Sequence, residues 1–127
     1  MATLTGSQTL TNKTLTAPVV NCGLINLSLN AQTGTTYTLV AGDSGKLVTM
    51  SNASATTLTL PPSVFSIGEQ INIVQLGAGQ VTFAQGSMVT IRSTGGTSTA
   101  PKLRVRYSAA TVICIGVSEF LVVGDLS

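Results

Sequence analysis

Histidine is absent from these 127 residues, tryptophan is absent too, and charge is scarce: six Lys and Arg against four Asp and Glu. Without histidine the Ser-His-Asp arrangement cannot be assembled, however many serines are present. A transition-metal site would have to use isolated cysteines and carboxylates, so no metal and no cofactor is expected. The formal charge of +2 gives no case for nucleic-acid binding, which needs a dense basic footprint. No apolar run reaches about 18 residues, so no membrane insertion is expected. The N-terminus lacks the charged start and apolar stretch of a secretory signal, and the expectation is a chain made and assembled in the cytoplasm. Cys22 and Cys114 stand far apart with no C-x-x-C spacing. They are either two small buried hydrophobes in a reducing compartment or the halves of a disulfide within or between chains.

What is present is apolar and β-branched. Hydrophobic residues make up 43% and charged residues 8%, against about 25% charged in an ordinary soluble domain. The surface must therefore be made of Thr, Ser, Asn, Gln and backbone. A monomer so weakly charged tends to associate, so partners are expected to cover much of it. Threonine, valine and isoleucine favour pleated, half-buried surfaces, and period-two alternation recurs after residue 35. Strands are expected at 36–40, 46–50, 56–60, 70–76, 80–84, 88–92, 102–108, 111–116 and 119–123. The first two read as a hairpin across 41–45, and Pro61 and Pro62 stop the third. The only candidate helical turn is 62–67. No convincing internal repeat stands out, although Thr-Leu-Thr occurs at 3–5, 9–11, 14–16 and 57–59. The expected fold is all-β: an antiparallel β-sandwich or jelly-roll-like barrel over residues 33–127, preceded by an extended N-terminal arm over 1–32.

The arm carries Leu4, Leu10, Leu15, Leu24, Leu27 and Leu29 among threonines and asparagines, and Lys13 is its only charged side chain. These leucines are too widely spaced to form a core of their own. They must be buried against the following domain or against another copy of the chain. Lys102, Arg104 and Arg106 put three cations on one face of a strand at period two. That face either docks on an acidic protein patch or an anionic glycan, or is a charged edge strand that deters pairing. The carboxylates Asp43, Glu69, Glu119 and Asp125 are expected in turns and at strand ends rather than as a catalytic pair. Gly77 and Gly79, like Gly95 and Gly96, read as hairpin turns. No catalytic residue is assigned and the chain is expected not to be an enzyme. Tyr37 and Tyr107 are the rings best suited to stack on a sugar, though core or interface burial is expected for most of the five aromatics.

Residues 6–16 (GSQTLTNKTLT) resemble a tract of tailed-bacteriophage fibre and virion surface proteins. Residues 45–55 (GKLVTMSNASA), 57–62 (TLTLPP), 68–83 (GEQINIVQLGAGQVTF) and 122–127 (VVGDLS) resemble a second module of such proteins. The resemblance implies a β-structured, homotrimeric knob located in the virion. Met1 lies almost at the threonine-rich tract, without a long shaft before it. The expectation is therefore a capsid decoration (cement) protein or short head fibre that contacts itself and the major capsid protein or other virion proteins. The alternative is a tail-fibre tip or receptor-binding protein that recognises a host surface glycan.

Overall fold

The structure, a computed structural model, describes residues 9, 11–19, 26–93 and 99–127. The described chain is all-β. Nine strands follow one another: β1 (Leu29–Gln32), β2 (Thr36–Thr38), β3 (Leu47–Met50), β4 (Thr56–Leu60), β5 (Gln70–Gln75), β6 (Val81–Gln85), β7 (Thr90–Ser93), β8 (Ala109–Gly116) and β9 (Glu119–Gly124). They form a six-stranded sheet in the order β1-β3-β5-β8-β9-β7 and a three-stranded sheet in the order β2-β4-β6.

The chain thus alternates between two sheets and climbs one step at each return. β1 and β2 make the first coil of a short solenoid, β3 and β4 the second, β5 and β6 the third. Within both sheets these successive coils pair in parallel. Leu29, Leu47 and Asn72 stand in one row across the coils, and Tyr37, Leu58 and Phe83 in another. A β8–β9 hairpin is then inserted beside β5, antiparallel to it, and β7 closes the sheet in parallel with β9.

This corrects the expected antiparallel sandwich or jelly-roll. Residues 36–40 and 46–50 do not form a hairpin: β2 and β3 lie in different sheets, joined through a 3-10 turn at Ala41–Asp43. The residues at 62–67 contain no helix. A repeat does exist, but its length changes from 18 residues (29 to 47) to 25 (47 to 72), which hides it in the sequence. β1 draws residues 29–32, the end of the expected arm, into the six-stranded sheet.

The core lies between the sheets. Val48 and Ile73 point inward from successive coils and continue into Ala110, while Leu58 and Phe83 face them from the smaller sheet; all are buried. Phe120 packs edge-on against Phe65 at 6.1 Å between ring centres. Removing each large side chain of this kind from water is worth about 1.5–3 kcal/mol. Cys114 is buried and free, its Sγ 3.3 Å from the Gly116 carbonyl and 3.5 Å from that of Phe65. Cys22 lies outside the described residues.

Gly77 and Gly79 form a corner of the solenoid rather than a hairpin turn. A Cβ on Gly77 would come within 2.2 Å of the Asn52 carbonyl oxygen, and one on Gly79 within 1.8 Å of that of Ser54. The Gly79 N–H donates to Asn52 O, and the Asn52 side chain donates on to Thr33 O. Three corners are therefore stacked, with backbone against backbone where the glycines lie.

Candidate assembly surface

Alternation along the strands of the larger sheet gives it an outer face as well as a core face. Register builds that face in rows. One runs Leu29, Leu47, Asn72, Thr111, Val123; a second Ala31, Thr49, Val74, Ala109; a third Gln70, Ile113, Leu121, Arg92. Apart from two amides and Arg92, the members are small or aliphatic. Asn72 is satisfied within the sheet, accepting from Thr111 Oγ1 at 2.8 Å. The only charged side chains in these six strands are Arg92 and Glu119, joined at 2.8 Å near one margin. A shallow groove of about 310 Å³ crosses the face between Leu27, Leu47 and Val123, floored by Ala109 and Ala110.

The expected arm leucines meet this surface in part. Leu29 projects from β1 and is 64% exposed, and Leu27 lines the groove. Leu15 is 61% exposed, and every residue from 11 to 19 is exposed. Leu4, Leu10 and Leu24 lie outside the described residues.

The three cations do not share a strand face. Lys102 and Leu103 make only isolated bridges, to Thr82 and Leu126, and the chain then turns. Tyr107 takes φ +71°, in the left-handed region, so period-two alternation ends before it. Arg104 holds Asp125, with Nε donating to Oδ1 at 2.7 Å. Arg106 Nε donates to Leu76 O at 2.8 Å, and its guanidinium lies 4.9 Å above the Tyr107 ring. Tyr107 is exposed; Tyr37 packs against the core.

The carboxylates are individually engaged. Glu69 Oε2 accepts from Ser66 N at 2.7 Å, Glu119 pairs with Arg92, and Asp125 pairs with Arg104. The Arg104 and Ser108 hydrogen bonds hold Asp125 below its ordinary pKa. Asp43, expected in an exposed turn, is instead buried. Its oxygens accept from Asn30 Nδ2, Tyr37 Oη and Val40 N. Burial pushes the Tyr37 phenol above its ordinary value, and the bond to Asp43 pushes the same way. The first coil thus carries polar side chains inward, Asn30, Gln32 and Tyr37, where later coils carry Val48, Met50 and Leu58. It is a capping coil of the sort that ends a solenoid's apolar interior. The sequence signal was Asn30 and Gln32 at period two, with Tyr37 and Asp43 following.

Compared with known proteins, the chain matches no protein-family model and no curated protein.

Proposed function

We propose that this chain is a structural protein of the bacteriophage virion that works as an assembly of identical copies, a homotrimeric capsid decoration protein or short head fibre. The observation that carries the reading is the outer face of the six-stranded sheet. It is largely aliphatic, with a few amides and threonines, and uncharged except for one internally paired margin. A face with no net charge meets its own copy without like-charge repulsion, whereas it has nothing with which to hold a strongly acidic or basic partner. The virion context rests on the resemblance of segments 6–16, 45–55, 57–62, 68–83 and 122–127 to phage surface proteins. Attached in many copies, such a protein stabilises the shell by binding only its assembled state, and threefold attachment lets weak contacts add.

Sedimentation equilibrium of the full chain tests the assembly. The expected mass is three times the 12.9 kDa of one chain; a single-chain mass at every concentration overturns it. Immunogold labelling of purified particles tests the location. Label spread over the shell is expected, and label confined to the tail supports the fibre-tip reading. That second reading draws on Tyr107, an exposed ring backed by Arg106 in the turn before β8 and suited to stacking on a sugar.

A further inference from the structure

The two ends of the solenoid are finished differently. At the far end, β7 directs Thr90 toward β9, with Thr90 N donating to Ser118 O at 2.9 Å, so Ile91 turns its N–H outward. The Gln85 side chain covers that donor, accepting from Ile91 N at 3.0 Å, and Arg92 adds charge to the strand. The far edge of the smaller sheet is covered by residues 101–103: Phe83 N donates to Pro101 O and Leu103 N to Val81 O, both at 2.9 Å. These are the devices by which sheets block further strand addition.

The first coil has none of them. Ser28 O and Gln32 O accept from Leu47 N and Ser51 N, so the alternate residues Leu29 and Ala31 aim their N–H and C=O groups away from the sheet. Thr35 O and Leu39 N engage β4, so Thr36 and Thr38 likewise face outward. Among the described residues nothing pairs with this edge, and β1 and β2 contain no charge and no proline. Residues 11–19 have the complementary deficiency: they are exposed throughout, with Leu15 and Val19 uncovered, and between the left-handed residues Asn12 and Ala17 the run 13–16 pairs with no strand among the described residues.

We infer that the arm of one copy, residues 11–19, adds as a strand to the first-coil edge of a second copy. The inference rests on the assembly reading above and names the contact. Among the described residues of one chain, the arm and the edge both stand unpaired, and a neighbour would satisfy both. The added strand supplies ladder hydrogen bonds to the open edge.

Photocross-linking tests it. Full-length chain with benzoylphenylalanine in place of Thr16 is mixed with isotopically heavy chain, irradiated, and digested for mass spectrometry. Cross-links between light and heavy chains that land on residues 29–38 are expected. Ala31→Pro removes one outward donor from an edge strand, where proline is tolerated; it is expected to cut those cross-links at least tenfold while the circular dichroism spectrum is unchanged. Cross-links confined to one isotope, or mixed ones landing on Leu47 and Val123, overturn the inference while a trimeric mass leaves the assembly reading standing. A single-chain mass overturns both. If Ala31→Pro fails to fold, the landing position in the parent chain still decides.

Discussion

Arg104 grips Asp125 with two hydrogen bonds, Nε to Oδ1 at 2.7 Å and Nη2 to Oδ2 at 3.0 Å. Ser108 Oγ donates to the same Oδ2 at 2.7 Å. The turn before β8 is thereby tied to the segment after β9, so a residue expected on a docking face works as an internal clamp.

That clamp has a pH signature. The Asp125 carboxyl is held below its ordinary value of 3.8, first by Arg104 and then by Ser108. A lowered folded-state value contributes stability that is in place above the unfolded value and is lost as pH falls through the folded one. Asp125→Asn should lower the melting temperature at pH 7, and the gap from the parent should close as the pH is taken below 3.8. Calorimetry across pH 2 to 7 measures it. A gap that stays constant across that range would show that the charge is not what holds the turn.

Stacked corners predict a severe glycine substitution. Gly79→Ala places a methyl group into the Ser54 carbonyl, backbone that no rotamer change can move. A loss of about 3 kcal/mol or more is expected from such overpacking, read by urea unfolding. Gly42→Ala is the control, since a Cβ there meets nothing within 4 Å.

On the outer face, Leu29→Lys together with Ile115→Lys should leave the monomer fold intact, because both side chains are exposed. Assembly should weaken at least tenfold, which corresponds to about 1.4 kcal/mol. Size-exclusion chromatography with light scattering over a dilution series reads the change. An unaltered trimer mass down to the same dilution as the parent would remove this face from the interface.

The capping coil makes two linked predictions. Asp43→Ala removes the shared acceptor of Asn30, Tyr37 and Val40; because these donors are only part-buried and Asn30 keeps its bond to Tyr37 Oη, the loss should be about 1–3 kcal/mol, read by urea unfolding. In a Tyr107→Phe background, absorbance at 295 nm follows Tyr37 alone, and its phenol should ionise above 10.0. A raised value contributes stability that is present below the unfolded value and fades as pH rises through the folded one. Unfolding should therefore become easier in the alkaline range as Tyr37 ionises.

Strand positions were legible where alternation and a stop signal coincide. Thr56–Leu60 ends against Pro61 as its pattern requires, and Leu58 and Leu60 fall inside. Connectivity was not legible, because alternation tells a strand which face is apolar but not which strand lies beside it. Gly77 and Gly79 look the same whether a chain reverses within one sheet or passes to another. Alternation was also carried too far at Lys102, Arg104 and Arg106, since no local signal marks the left-handed residue at Tyr107. Asp43 sits among glycine and serine as a surface turn residue would; its burial depends on Asn30 and Tyr37, which reach it only once β1 and β2 are laid down. Of the assembly surface, Leu27 and Leu29 were visible as leucines without a core. Their companions Leu47 and Val123 were not, because register alone brings them alongside.

The β8–β9 hairpin also sets a timetable. Its strands leave the ribosome after the other seven, yet they lie inside the larger sheet, between β5 and β7. β7 therefore waits for β9, and β5 keeps one flank unpaired until β8 has been made. A nascent chain halted before β8 holds two bare flanks at once, the state most exposed to misassociation during synthesis.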